Sequence, residues 1–157
     1  MSVPKRQHAV ERTPEGSALS ALAVQVFRLE GLLSEIGDEL AAPAGQTTAR
    51  WRVLAAVEHE PKPVARIARE WSLARQSVQR LADVLADEGL VTYEDNPAHR
   101  RAKLVRLSPS GRRALTRIQR AQVVWANELG AAIGLDDLAA GARVLDRLLA
   151  ALVEPCA

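Results

Sequence analysis

Between Leu19 and Leu40 seven apolar residues (Leu19, Leu22, Val26, Leu29, Leu33, Ile36 and Leu40) advance by alternate steps of three and four. That spacing is a heptad seam and predicts one helix of about 25 residues. A helix of this length is long for a small domain, so its apolar stripe must find a partner beyond the nearest neighbour. Pro43 and Gly45 end it. Two further seams lie near the other end: Leu115, Ile118, Gln122, Trp125 and Leu129, then Leu138, Ala142, Leu145, Leu149 and Leu152. Ser108-Pro109 opens the first of these helices with proline in its first turn, and Gly134 separates the two. Seams of this kind fit either an internal helical bundle or a dimer.

The middle of the chain is built differently. Thr47 or Thr48 can cap a second helix carrying Trp51, Leu54, Ala55 and Glu58 on one face. The run Glu60-Pro61-Lys62-Pro63 stops it. A short third helix is predicted over 64–71 with Ile67, Ala68 and Trp71 inward, Trp71 wedged between the third and fourth helices. After the turn Ser72-Leu73, a fourth helix over 74–89 buries Val78, Leu81, Ala82 and Leu85 and stops at Gly89. Residues 90–94 and 103–107 then read as two short strands around a basic loop that begins with Asp95-Asn96-Pro97. The fold class is mainly α with a small β-hairpin wing, a winged helix-turn-helix flanked by long dimerisation helices. Its divisions are a mobile arm at 1–16, an N-terminal helix at 17–45, a reading head at 46–110 and C-terminal helices at 111–157.

Charge points to the partner. The net charge of +2 conceals a segregation: residues 64–120 carry +6 and the remainder −4. Residues 96–120 hold eight Arg or Lys and no acid, and 18 of the chain's 21 basic residues are arginine. Such a block repels itself unless it faces a polyanion or solvent. Arginine's planar fork matches phosphate oxygens and guanine edges. On the fourth helix Arg75, Gln76, Gln79 and Arg80 crowd the N-terminal turns, the end that meets base edges in helix-turn-helix motifs. Arginine and glutamine can bind guanine and adenine bidentately, and Ser77 can contact a base or phosphate. The wing offers Arg100, Arg101 and Lys103 to a minor groove, which attracts cations where it is narrow. Double-stranded DNA is the expected partner. Arg112, Arg113, Arg117 and Arg120 are divided between phosphate contacts and a solvated face; Arg66 and Arg69 are weaker candidates, and Tyr93 is read as strand packing.

The segment 81–107, LADVLADEGLVTYEDNPAHRRAKLVRL, followed by Ser108-Pro109-Ser110-Gly111, resembles the recognition-helix, wing and next-helix segment of the multiple-antibiotic-resistance regulator (MarR) family. The helix order extends the likeness over 17–153. The resemblance implies a homodimeric transcriptional regulator, a ligand-responsive repressor of a pseudo-palindromic operator, whose first, fifth and last helices interlock with the partner's. Two recognition helices would then lie about one DNA turn, ~34 Å, apart. The family's wing-tip arginine matches Arg101, with Arg100 beside it, while the acid usual two positions earlier is His99 here. Relatives bind phenolic or other aromatic effectors where the dimer helices meet the reading head. Trp51 and Trp125 read either as lining of such a cavity or as core, with Arg28 and Arg52 as candidate cations for a small aromatic or anionic effector.

Other chemistries find no support in the pattern. Cys156 is the only cysteine and lies outside the first helix, where thiol-sensing relatives carry theirs. His8, His59 and His99 lack the spacing of paired helical metal ligands. No cofactor and no metal are expected, and no glycine-rich phosphate loop, nucleophile elbow or His-Glu-x-x-His suggests an enzyme. The polar N-terminus and the shortness of charge-free runs suggest a cytoplasmic chain without membrane association. The alternative reading is a winged-helix protein-interaction module, an anti-repressor or assembly factor without DNA binding.

Overall fold

The computed structural model describes residues 11–99 and 101–153. Residues 1–10 of the arm expected over 1–16, Arg100 and Cys156 lie outside the described residues. The first helix, α1 (Pro14–Ala41), begins three residues earlier than the seam suggested. Thr13 caps it by accepting from the Gly16 amide at 3.0 Å, Pro14 occupies the first turn and Glu15 faces the positive end of the helix dipole. The cap signal lies upstream of the apolar periodicity, so Pro14, Glu15 and Gly16 belong to α1 and not to the stretch before it.

A 3-10 turn (Ala42–Ala44) and Gly45, at φ 70°, redirect the chain into α2 (Thr48–Ala56). Thr47 is the cap residue. The start of α2 is also held by α1: Asp38 accepts from the Thr48 amide at 2.6 Å, and the Thr48 hydroxyl donates to the Ser34 carbonyl at 2.8 Å. These bonds satisfy a helix N-terminus with a carboxylate from the preceding element. They also lower the Asp38 pKa, chiefly through the Thr48 backbone bond.

Next come β1 (Lys62–Pro63), α3 (Val64–Glu70) and α4 (Arg75–Asp87), then β2 (Val91–Glu94) and β3 (Leu104–Leu107). The sheet has order β1-β3-β2 and is antiparallel throughout, with Lys62 opposite Val105 and Val91 opposite Leu107. The sequence marked the Pro-rich stretch before α3 as a helix stop only. Two residues carry no period, and Pro63 is tolerated because β1 is an edge strand.

The core lies under this head. Val53, Leu54, Ile67, Val78, Leu85, Val91, Val105 and Leu115 are buried together. Trp71 corrects the expectation of a core wedge: it is 42% exposed. The helix α3 ends at Glu70, so Trp71 is its C-cap and leaves the buried face. Ser72 follows at φ 51°, and Leu73 donates back to the Ala68 carbonyl at 2.8 Å, closing the turn between α3 and α4 without glycine.

The last two helices are α5 (Pro109–Ile133) and α6 (Leu135–Val153). Ser108 caps α5 by accepting from the Gly111 amide at 3.0 Å, and its hydroxyl donates to the Gly89 carbonyl at 2.7 Å. Ser110 reaches the same carbonyl at 2.7 Å. The Ser-Pro-Ser-Gly run therefore docks the start of α5 on the end of α4. Buried residues of α5 are confined to its first half, α6 has none, and α1 buries only Gly37 and Ala41. Among the described residues, much of the seams of α1 and α6 and of the distal half of α5 is consequently left exposed. By length and composition α1 is also apolar enough to cross a membrane, yet Arg28, Glu30, Glu35, Asp38 and Glu39 interrupt it.

Candidate nucleic-acid interface

Helix α4 is divided by its own periodicity. Val78, Ala82 and Leu85 are buried, while Arg75, Gln76, Gln79 and Arg80 are exposed on its other side. Its first turn contains no acid and is followed from the opposite direction by the wing. Between them lies an open cleft of about 350 Å³ lined by Arg75, Gln79, Asp83 and Tyr93 and by Arg101 and Lys103. Four of the sequence-selected residues thus converge on one concave surface. Ser77 is half-buried and accepts from Arg80 at 3.4 Å.

Several cations outside this face sit in ion pairs. Arg50 pairs with Glu88, Arg52 with Glu30, Lys62 with Glu70, Arg66 with Glu60 and Glu70, and Arg106 with Glu94. Among the described residues, Arg75, Arg80, Arg101 and Lys103 have no such carboxylate partner. Their positive potential is left to act outward. Arg66, bridged to two glutamates, is removed from that set.

Arg106 has a different task. It meets Glu94 through two bonds, at 2.5 and 2.9 Å, and this fork across the strands raises the Arg106 pKa. It lines the groove on the other side of the sheet, beside Val57 and Arg112, rather than the α4 cleft. At the wing tip Asn96 accepts from the Ala98 amide at 3.0 Å, and the Ala102 amide donates to the His99 carbonyl at 3.0 Å. His99 itself is exposed.

Gln79, Asp83 and Tyr93 form a connected group that the sequence reading did not find. The Tyr93 hydroxyl donates to Asp83 Oδ1 at 2.7 Å, and Gln79 Nε2 donates to the same oxygen and to the Tyr93 hydroxyl, both at 2.9 Å. Partial burial, reinforced by Asp83, holds the Tyr93 pKa well above its ordinary value. The side chain packs on the core, as strand packing requires, and also lines the cleft. A signal was present: Gln79 and Asp83 are four apart on one helix face. The tyrosine belongs to another element and could not be placed beside them.

Of the arginines on α5, Arg112 donates to the Glu58 carbonyl at 3.1 Å, and Arg113, Arg117 and Arg120 line one exposed groove with it. None of the four residues considered for an effector lines a pocket described among these residues. Trp51 packs on the head core, Trp125 is half-buried on α5 and Arg28 is exposed on α1. Arg52 lies 5.9 Å over the Trp71 ring and 3.6 Å from Glu30. It links α1 to the turn before α4. The apolar groove shared by α1 and α6, lined by Leu22, Val26, Leu29 and Leu145 among others, contains none of the four.

Comparison with known proteins agrees with this architecture. A sequence model described as MarR family matches residues 44–102, the stretch from before α2 to the wing tip. An uncharacterized protein of Mycobacterium tuberculosis is 37% identical over 134 residues, covering 85% of this chain and 94% of that protein. Among solved structures, the transcriptional regulator BldR of Sulfolobus solfataricus superposes with a TM-score of 0.75 at 18% identity, covering 88% of this chain and 98% of BldR. The transcriptional repressor CouR, captured on a 23-mer DNA duplex, gives 0.74 at 22% identity, covering 88% of this chain and 99% of that one. With its α3–α4 helix pair, three-stranded wing and exposed flanking helices, the chain belongs to the MarR family of winged-helix proteins.

Proposed function

We propose that this protein is a sequence-specific DNA-binding transcription regulator that acts as a homodimer on a pseudo-palindromic operator. The observation that carries the reading is the convergence of unpaired Arg75, Arg101 and Lys103 with Gln79 on one cleft between α4 and the wing. Helix α4 enters the major groove, where Arg75, Gln76, Gln79 and Arg80 meet base edges and Ser77 supports the backbone contact. Arg101, with Arg100 and Lys103, reaches the neighbouring minor groove and its phosphates. CouR, which shares this fold, is seen on a duplex.

The partner chain covers the apolar faces of α1, the distal half of α5 and α6. Phe27 is 77% exposed and Leu135 81% exposed in the single chain. Contiguous apolar surface on this scale marks an interaction site. Repression follows if the bound dimer occludes a promoter. An effector would act by preferring a dimer geometry whose heads no longer match the half-site spacing, to an extent set by its differential affinity for the two forms. Because Trp51, Trp125, Arg28 and Arg52 line none of the pockets described in the single chain, a pocket built from both protomers is the place to seek it.

Duplex binding measured against salt tests the DNA reading directly. Neutralising phosphates releases counterions, so log K should fall steeply with log salt concentration. A slope near zero, with no sequence selected from a random pool, would leave a protein-interaction module as the better reading.

A further inference from the structure

We infer that Asp83 and Tyr93 are positioning residues for base reading: together they hold the Gln79 amide through one shared N–H and leave its carbonyl and second N–H for a base edge. The inference rests on the DNA reading above and gives a role to two residues that touch no base in it. Seen from Gln79 Nε2, Asp83 Oδ1 and the Tyr93 hydroxyl oxygen each lie 2.9 Å away, and only 2.7 Å separates the two. They occupy nearly one direction, well inside the roughly 120° between the N–H bonds of an amide. One N–H aimed between them serves both oxygens as a three-centre bond. The second N–H points elsewhere.

The carboxylate sets the sense of this arrangement. Ionised Asp83 only accepts hydrogen bonds, so it takes the Tyr93 hydroxyl proton and leaves the tyrosine oxygen as an acceptor toward Gln79. Partial burial, with Asp83 beside it, keeps that hydroxyl protonated well above its ordinary range. Turning the amide over would set its carbonyl against a carboxylate and against an oxygen whose proton is already given. Without Asp83, the hydroxyl would donate to the carbonyl as readily as accept from the N–H, and the amide would lose its direction. Asp83 lines the same cleft as Arg75, Arg101 and Lys103, yet among the described residues it pairs with none of them and its bonds go to Tyr93 and Gln79. An amide already oriented gives up less rotamer freedom on meeting DNA. It also presents its donor and acceptor in one order, which is what distinguishes one base edge from another.

The experiment is selection of bound duplexes from a random pool by the full-length protein. Five forms are compared: wild type, Gln79→Ala, Asp83→Ala, Tyr93→Phe, and the double variant Gln79→Ala/Asp83→Ala. Gln79→Ala identifies the position by losing its preference there. At that position Asp83→Ala should lower the wild-type preference by roughly three- to tenfold, the scale of one net hydrogen bond, and Tyr93→Phe should lower it by less. Preferences elsewhere in the site should stay as they are. In the Gln79→Ala background, Asp83→Ala should change nothing further at that position, because its effect passes through the amide. Preference is a ratio between bases, so a uniform gain in affinity from removing an acid cancels.

A wild-type preference retained at that position by Asp83→Ala would overturn the inference. So would an equal Asp83→Ala effect with and without Gln79, losses spread evenly over all positions, or a Gln79→Ala protein that selects as the wild type does. Asp83 and Gln79 are both exposed on α4, so these arms decide the matter even if Tyr93→Phe disturbs the head. Failure of the underlying reading looks different: the wild type would then bind no duplex and show no salt dependence.

Discussion

Close approach at a few positions, more than the bulk of the core, sets the tolerances of this head. At Gly111 a Cβ would lie 2.0 Å from the Leu90 carbonyl oxygen and 2.8 Å from Leu107 Cδ1. Backbone cannot yield there as a flexible side chain would, so Gly111→Ala should destabilise the protein by about 1–3 kcal/mol. A lowered urea midpoint with an unchanged slope checks this; an unaltered midpoint would mean that α5 is free to move off α4. Gly89, at φ 73°, is needed for conformation, because it ends α4 in the left-handed region. Asp38 allows a prediction in pH. Its ordinary pKa of 3.8 is lowered in the folded state by the Thr48 bonds, so the ionised form favours folding. That contribution is complete above the unfolded value and disappears as pH falls through the folded one. Asp38→Asn keeps an acceptor for Thr48 but removes the charge. The stability difference between wild type and variant should therefore be constant near neutrality and close on acidification, as read by denaturation at stepped pH.

At the scale of elements, the wing and α4 divide positive charge into two uses. Arg106 is clamped by Glu94 and stiffens the hairpin, whereas Arg101 opens on the α4 cleft without a carboxylate. Arg101→Ala should weaken binding to nearly all sequences and reduce the salt slope by about 1 per protomer. Arg106→Ala should leave that slope unchanged, because its cation is not offered to phosphate. Gln79→Ala should instead act mainly at one base position, by about 1–3 kcal/mol. Titrations of specific and random duplexes at several salt concentrations separate the three. Equal losses for Arg101→Ala and Arg106→Ala on random DNA would contradict the division. The helix pair and wing were legible beforehand through Pro, Gly and apolar spacing. The allocation of arginines was not, since Arg106 and Arg101 look alike in a run that contains no acid; Glu94 lies across the hairpin.

For the whole molecule, the decisive fact is that its longest helices have little core of their own. Leu29 on α1 and Leu145 on α6 line one apolar groove, and both are substantially exposed in the single chain. A charge placed in an interface built from such residues must be buried unpaired. Leu29→Glu or Leu145→Glu should halve the mass seen by sedimentation while the circular dichroism of the head persists. Affinity for a two-half-site operator should fall much more than affinity for a single half-site, because linkage of two heads on one duplex is lost. A wild-type chain that sediments as a monomer at micromolar concentration would remove the dimer, leaving the head intact.

Periodicity and punctuation, which are local properties, were sufficient for the helix order, the hairpin, the caps at Ser108 and Gly89 and the exposed side of α4. Each depends on residues within a few turns of one another. Tertiary structure alone decided what those surfaces are free to do. It added β1, whose two residues have no period, and carried Trp71 out of the core by ending α3 one residue early. It joined Gln79 and Asp83 to a tyrosine on a different strand and paired Arg106 while sparing Arg101. Hydrogen bonds and ion pairs between elements depend on distance in space, and separation along the chain contains that distance only after folding.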